Sequence, residues 1–276
     1  MKECVGAATC RPQSRALLAD SHVHLLDHRL ADCIDETMQN LTADGLAFVV
    51  EVAPTFDSSK RAVDLASKYD RIYATIGIHP HDAKDYTAEF ETWSETTRGN
   101  RKVVAVGECG LDYHYMHSPK ETQHNVFIAQ IKLAHKLGLP LVVHSRSAYD
   151  DTLSILRSNR KYLTNGILFH CFGYCALEVA ELTKEFDAYF AFGGALTHKK
   201  KDAMVDAMRA VPFSRLLLET DCPYLAPEPL RGTCNCPRNV RYVAEFVAKT
   251  LNLPFEQVAS QTLANTKRFY RIKEAS

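Results

Sequence analysis

The sequence predicts an α/β chain of the (β/α)8, or TIM, barrel class, and three observations carry that expectation. Eight apolar runs recur along the chain, each followed by a segment with helical periodicity. Most of the runs are continuous rather than alternating, as parallel strands covered on both faces are. A length of 276 residues suits eight such units closing into one domain. Strand–helix alternation throughout implies parallel strands joined by crossovers. A doubly wound open sheet is the alternative, but nothing resembles its Gly-rich dinucleotide fingerprint.

In order, the runs are 17–24, 46–53, 72–79, 103–108, 139–144, 166–170, 188–192 and 216–221. The segment after the fourth shows the helical pattern well: Phe127, Ile131, Ala134 and Leu137 share one face, and Gly138 and Pro140 stop it. Two helices, near 239–251 and 254–270, follow the last run. Between run and helix lies 222–238, rich in Pro, Gly and Cys, the longest irregular stretch and an expected lid over a site. The domain is expected over 17–276, with 1–16 a short disordered extension; its slightly basic composition leaves a mitochondrial presequence as the other reading.

Composition narrows the function classes. An apolar content of 46% supplies a large core. Net charge is zero, with 33 basic and 33 acidic residues, so bulk electrostatics does not mark a nucleic-acid binder and any polyanion site must be local. No apolar run has the length of a membrane span, and no obligate protein partner is indicated. Nine scattered cysteines read as reduced thiols of a cytoplasmic protein, with nucleus or mitochondrion as alternatives. Cys234 with Cys236, or Cys171 with Cys175, have spacings that build no zinc finger.

The chemistry sits at the run ends. His22 and His24 lie two apart in the first run, so a strand turns both imidazoles to one face. Glu108, His144, His170 and Asp221 close the fourth, fifth, sixth and eighth runs. Six residues of metal-ligand type at the carboxyl ends of barrel strands point to a metal centre on the face where barrel enzymes work. The set suggests two divalent ions: His22, His24 and Asp221 from the neighbouring first and eighth strands, His144 and His170 from the fifth and sixth, and Glu108 bridging. Mixed nitrogen and oxygen ligands suit Zn²⁺ and admit Mn²⁺ or Mg²⁺.

Several motifs then converge. Asp20-Ser-His-Val-His24, Gly77-Ile-His-Pro-His81, Gly107-Glu-Cys-Gly-Leu-Asp-Tyr113, His144-Ser-Arg146, His170-Cys-Phe172 and Leu218-Glu-Thr-Asp-Cys-Pro-Tyr224 occur in the order seen in the TatD family. From Ala19 to its end the chain resembles these metal-dependent deoxyribonucleases of the amidohydrolase-like barrels. The resemblance implies a metal-dependent hydrolase barrel whose ligands are His22, His24, Glu108, His144, His170 and Asp221, acting on DNA, often as a 3′–5′ exonuclease. Two departures bear on substrate contacts. Gly173-Tyr174-Cys175 replaces the family's small residue and glycine, and Cys236 stands where an acidic residue usually precedes the proline.

The expected reaction is attack of a metal-bridging hydroxide on phosphorus, with Asp221 taking its proton and Glu108 holding both ions. His79 and His81 are expected to hydrogen-bond a phosphate, and Arg146 to pair with a non-bridging oxygen. Lys199, Lys200 and Lys201 offer a guide for a DNA backbone, or simply a solvated helix start. Glu219 is read as structural and facing away from Asp221; Cys109 and Cys222 are read as facing away from the site. The rival reading on the same fold is a dinuclear amidohydrolase or esterase acting on small molecules or aminoacyl-tRNA. A metal-containing binding protein without turnover has no need of so complete a ligand set.

Overall fold

In the computed structural model, which describes residues 16–273, the eight runs form eight parallel strands in sequential order. They are β1 (Leu18–Val23), β2 (Leu46–Glu51), β3 (Ile72–Ile76), β4 (Val103–Asp112), β5 (Leu141–Arg146), β6 (Ile167–Phe169), β7 (Ala188–Phe192) and β8 (Leu216–Leu218). The helices between them are α1 (Ile34–Asn40), α2 (Phe56–Lys68), α3 (Ala88–Thr96), α4 (Lys120–Leu137), α5 (Tyr149–Ser158), α6 (Ala176–Glu185) and α7 (Asp202–Ala210). After the last strand come α8 (Val240–Leu251) and α9 (Phe255–Phe269), close to their expected positions. Apart from Ala16, the expected extension lies outside the described residues.

The ring closes between the first and last strands. Val23 forms a parallel bridge to Cys222, His22 O accepts from Asp221 N at 3.0 Å, and Cys222 O accepts from His24 N at 2.9 Å. Buried Asp20 reinforces the seam, accepting from Thr220 N at 2.9 Å and Thr220 Oγ1 at 2.6 Å.

Continuous apolar strands are explained by two cores that alternate along them. Leu141, Val143, Phe190, Phe192, Leu216 and Leu218 pack outward under the helices. Val142, Leu168, Tyr189, Ala191 and Leu217 fill a second cluster that takes Phe269 and Tyr270 from the end of α9. Tyr270 Oη donates to Ser21 O at 2.9 Å, tying that plug to β1. On α4, Phe127, Ile131 and Ala134 are buried and Gly138 caps the helix in the left-handed conformation at φ 72°, as its pattern requires. Two buried glutamines of α4 anchor strand ends near the carboxyl face. Gln130 makes a two-bond clasp with the Ile78 backbone, and Gln123 makes one with Asp112.

Two strand boundaries differ from the expected ones for a physical reason. β4 does not stop at Glu108 but continues to Asp112, paired with β5 through Arg146. β8 stops at Leu218, because the chain beyond turns inward and Asp221 takes φ 55°.

Candidate metal centre

His22 lies in β1 and His24 immediately after it, and their rings stand 5.1 Å apart beside Asp221. His24 Nδ1 sits 2.9 Å from Val52 O, an acceptor, so in the neutral ring the proton belongs on Nδ1 and Nε2 carries the electron pair. That Nε2 faces Asp221 Oδ1 at 3.2 Å, and His22 Nε2 lies 3.8 Å from the same oxygen.

β4 supplies the carboxylate at the centre. Gly107 and Gly110 both take φ 139°, and a Cβ on them would meet Val142 O at 2.5 Å and His144 O at 2.1 Å. Only glycine fits this close approach to β5, where the β4 register shifts between Val106 and Cys109 and Glu108 turns inward. Glu108 then divides its oxygens. Oε1 lies 2.7 Å from His144 Nδ1 and 2.6 Å from His170 Nε2, while Oε2 lies 3.4 Å from His22 Nε2. The His22 and His170 rings stack at 4.0 Å, closing the gap between the two sides.

Carboxylates behind the imidazoles set which nitrogen points inward. Asp112 Oδ2 is 3.1 Å from His144 Nε2, which leaves His144 Nδ1 free, and Glu219 Oε1 is 3.7 Å from His170 Nδ1. His79 is the opposite case. Its Nδ1 accepts from His81 N at 3.1 Å, so Nε2 carries the hydrogen and serves as a donor, 3.5 Å from Glu108. Asp112 also accepts from His81 Nε2 at 3.1 Å and from the N–H groups of His114 and Tyr115.

Burial penalises every charge in the cluster, and the partners decide which charges survive. His24 overcomes its burial through Asp221 and is pushed up to about 9. His170 is raised against the same penalty by Glu108 and Glu219. His22 is lowered by burial and by His170, and His79 is lowered to about 4, chiefly by burial. Glu108 and Asp221, though buried, are held below the ordinary carboxylate value by the surrounding histidines.

The cluster floors a cavity of about 610 Å³ whose wall includes Arg61, Tyr115, Arg146, Tyr224 and Leu225. All six expected ligands therefore converge, and His79, His81 and Arg146 reach the same cavity. His79 lies buried in one group with Glu108 and His144. Lys199 to Lys201 are exposed just before α7 and do not line the cavity. The 222–238 stretch covers the mouth through Tyr224 and Leu225, but it is fastened down. Asn235 Nδ2 donates to Thr220 O at 3.0 Å and Tyr224 O at 2.7 Å.

Glu219 corrects the sequence reading: it is buried beside His22 and His170 rather than turned away, because the chain leaves the strand after Leu218. Asp112 and Glu51 were missed. Asp112 was signalled by parity, since it lies four beyond Glu108 in a strand assumed to have ended. Glu51, the last residue of β2, binds Leu25 N at 2.6 Å and Leu26 N at 3.2 Å and so holds the loop after His24. Tyr174, one of the departures, bonds Ser145 Oγ at 2.8 Å and Ala148 N at 3.2 Å, bracing the segment that carries Arg146. Cys109 and Cys222 are buried in the outer core, as expected.

Buried polar atoms in proteins have partners almost without exception. Both ring nitrogens of His22 and Nδ1 of His170 have no hydrogen-bond partner among the described residues. Contacts of 3.4 Å and 3.7 Å to Glu108 and Glu219 are ion-pair distances without hydrogen-bond geometry. Inward-facing nitrogens interleaved with carboxylate oxygens fit divalent cations.

Comparison with known proteins agrees with this geometry. The family model described as "TatD related DNase" matches residues 19–271. A Bacillus subtilis protein named "Uncharacterized metal-dependent hydrolase YabD" is 40% identical, over 93% of this chain and 100% of its own. The Enterobacter lignolyticus protein named "3'-5' ssDNA/RNA exonuclease TatD" is 30% identical, over 83% and 88% respectively. The crystal structure of YJJV, a TatD homologue from Escherichia coli, superposes with TM-score 0.86 at 25% identity, covering 93% of this chain and 98% of that one. With its barrel, its converging donor set and a family match spanning nearly its whole length, this chain belongs to the TatD family of metal-dependent hydrolases.

Proposed function

We propose that this chain is a deoxyribonuclease of the 3′–5′ exonuclease type that works with two divalent ions, Zn²⁺, Mn²⁺ or Mg²⁺. His22, His24 and Asp221 would hold one ion, His144 and His170 the other, and Glu108 would bridge them. The observation that carries this reading is the division of Glu108, with Oε1 on His144 and His170 and Oε2 toward His22. When bound, such ions lower the pKa of a water and neutralise charge on a phosphodiester.

The chain's own groups supply the rest. Asp221 Oδ1, ionised at neutral pH and open to the cavity, accepts the proton of the attacking water. His79, neutral with its hydrogen on Nε2, donates to a phosphate oxygen; His81 gives its Nε2 hydrogen to Asp112 and, being neutral, has none left for a phosphate, so it lines the site without donating. Arg146, whose guanidinium lies over the Tyr115 ring at 4.8 Å, pairs with a non-bridging oxygen. The Enterobacter relative, named as a 3'-5' ssDNA/RNA exonuclease, supports a nucleic-acid substrate.

The test is metal-reconstituted protein with end-labelled single-stranded and duplex DNA, run beside RNA, a chromogenic carboxylic ester and a dipeptide. Mononucleotides released from the 3′ end are the expected result. Hydrolysis of the ester or dipeptide with DNA untouched in every metal would overturn the nuclease reading in favour of the amidohydrolase one.

A further inference from the structure

The cavity above the cluster has a second cationic wall. Arg61, in the second turn of α2, lines it together with Pro54 and Ser58. Arg146 lines it from the end of β5, three strands further round the barrel. The residues clustered on Glu108 line the same cavity, and β4, which carries Glu108, lies between β2 and β5 in the strand order.

The neighbouring carboxylates leave Arg61 uncommitted. Glu51 feels its charge, but the Glu51 oxygens are bound to the amides of Leu25 and Leu26. Asp27 is held in a two-point pair by Arg29, with both contacts at 2.9 Å. Asp112, Glu108 and Asp221 all face histidines. Asp82 lines the same cavity from the turn after β3 without an ion pair to Arg61. The Arg61 side chain has no ion-pair or hydrogen-bond partner among the described residues.

An unpaired guanidinium at a cavity wall presents a planar fork of donors shaped for an oxyanion. A neutral carbonyl substrate at the cluster would have no use for one guanidinium on each side. A nucleic-acid strand would, because it carries a negative charge at every nucleotide.

We propose that Arg61 forms a second anion subsite that holds the phosphate adjacent to the one being cut, on the side of the cluster away from Arg146. The site is thereby built for a strand rather than for an isolated phosphodiester. The inference rests on the nuclease reading and adds to it a chain-binding residue that no motif contains.

The test compares the metal-loaded wild type with Arg61→Ala on a single-stranded oligonucleotide and on bis(p-nitrophenyl) phosphate. Arg61 is exposed, so the variant folds. A lost charge-assisted contact of this kind is worth about tenfold or more in binding. The variant should therefore raise KM at least about tenfold more for the oligonucleotide than for the small diester, and reduce the salt slope by about one. In a scan of oligonucleotides carrying one neutral methylphosphonate, one position should impose the same loss on the wild type and no further loss on Arg61→Ala. Wild type that cuts the small diester but not the oligonucleotide would overturn the nuclease reading itself. Wild type that degrades the oligonucleotide, with Arg61→Ala equal to it or with losses that simply add, would overturn the Arg61 subsite alone.

Discussion

Asp221 has two tasks in the proposed reaction, and one substitution separates them. As a ligand it shares its ion with His22, His24 and Glu108; as proton acceptor it is needed at every turnover. Asp221→Asn keeps the size and one oxygen for His24 while removing the basicity. The variant should fold and retain much of its metal, yet lose about 100-fold or more in kcat under saturating metal. Turnover within a few-fold of the parent would transfer the base to another group. His24 gives a pH signature at the same scale. Raised to about 9 by Asp221, its ring carries a proton at neutral pH in the metal-free chain, whereas ligation requires the neutral form. Metal loading should therefore expel the His24 proton, together with that of His170, which Glu108 and Glu219 raise likewise, and tighten as pH rises toward 9. Calorimetry in two buffers of different ionisation enthalpy reads those protons, and identical heats in both would refute their release.

At the scale of the element, β4 decides how the site is assembled. Its glycines let the strand press against β5, which turns Glu108 inward and lets the strand run on to Asp112, the carboxylate behind His144 and His81. A Cβ on residue 110 would stand 2.1 Å from His144 O, and neither atom can yield without moving β4 or β5. Gly110→Ala should thus cost on the order of 3 kcal/mol of stability and lower metal occupancy as well. Thermal unfolding and elemental analysis measure the two effects, and a variant with the parent's midpoint would show that β4 relaxes more easily than the geometry implies.

For the whole molecule, zero net charge means that a polyanion must be drawn by local patches. Lys199, Lys200 and Lys201 form one such patch, exposed before α7 and outside the cavity. If they guide the strand before it enters, replacing all three with Gln should flatten the salt dependence of DNA binding by up to about three units in slope. The change should weaken DNA binding more than binding of a small diester. Equal losses on both would assign the run to the fold instead.

The barrel and its candidate ligands were legible in the sequence because both obey short-range rules. Continuous apolar runs mark strands buried on two faces, and a polar residue ending each run marks the carboxyl face; His22, His24, Glu108, His144, His170 and Asp221 could all be found in this way. What lay beyond the sequence depends on contacts between distant segments. The extension of β4 to Asp112 follows from a glycine-permitted approach to β5, and the exposed placement of Arg61 on the cavity wall follows from how α2 docks on the barrel. The inward turn of Glu219 and Asp221 follows from the seam that Asp20 and Thr220 close with β1. Local pattern determines which residues lie at the strand ends. Only tertiary packing decides which imidazole nitrogen faces inward, because for His24 and His144 that choice is made by Val52 O and Asp112, supplied by the residue after β2 and by the end of β4.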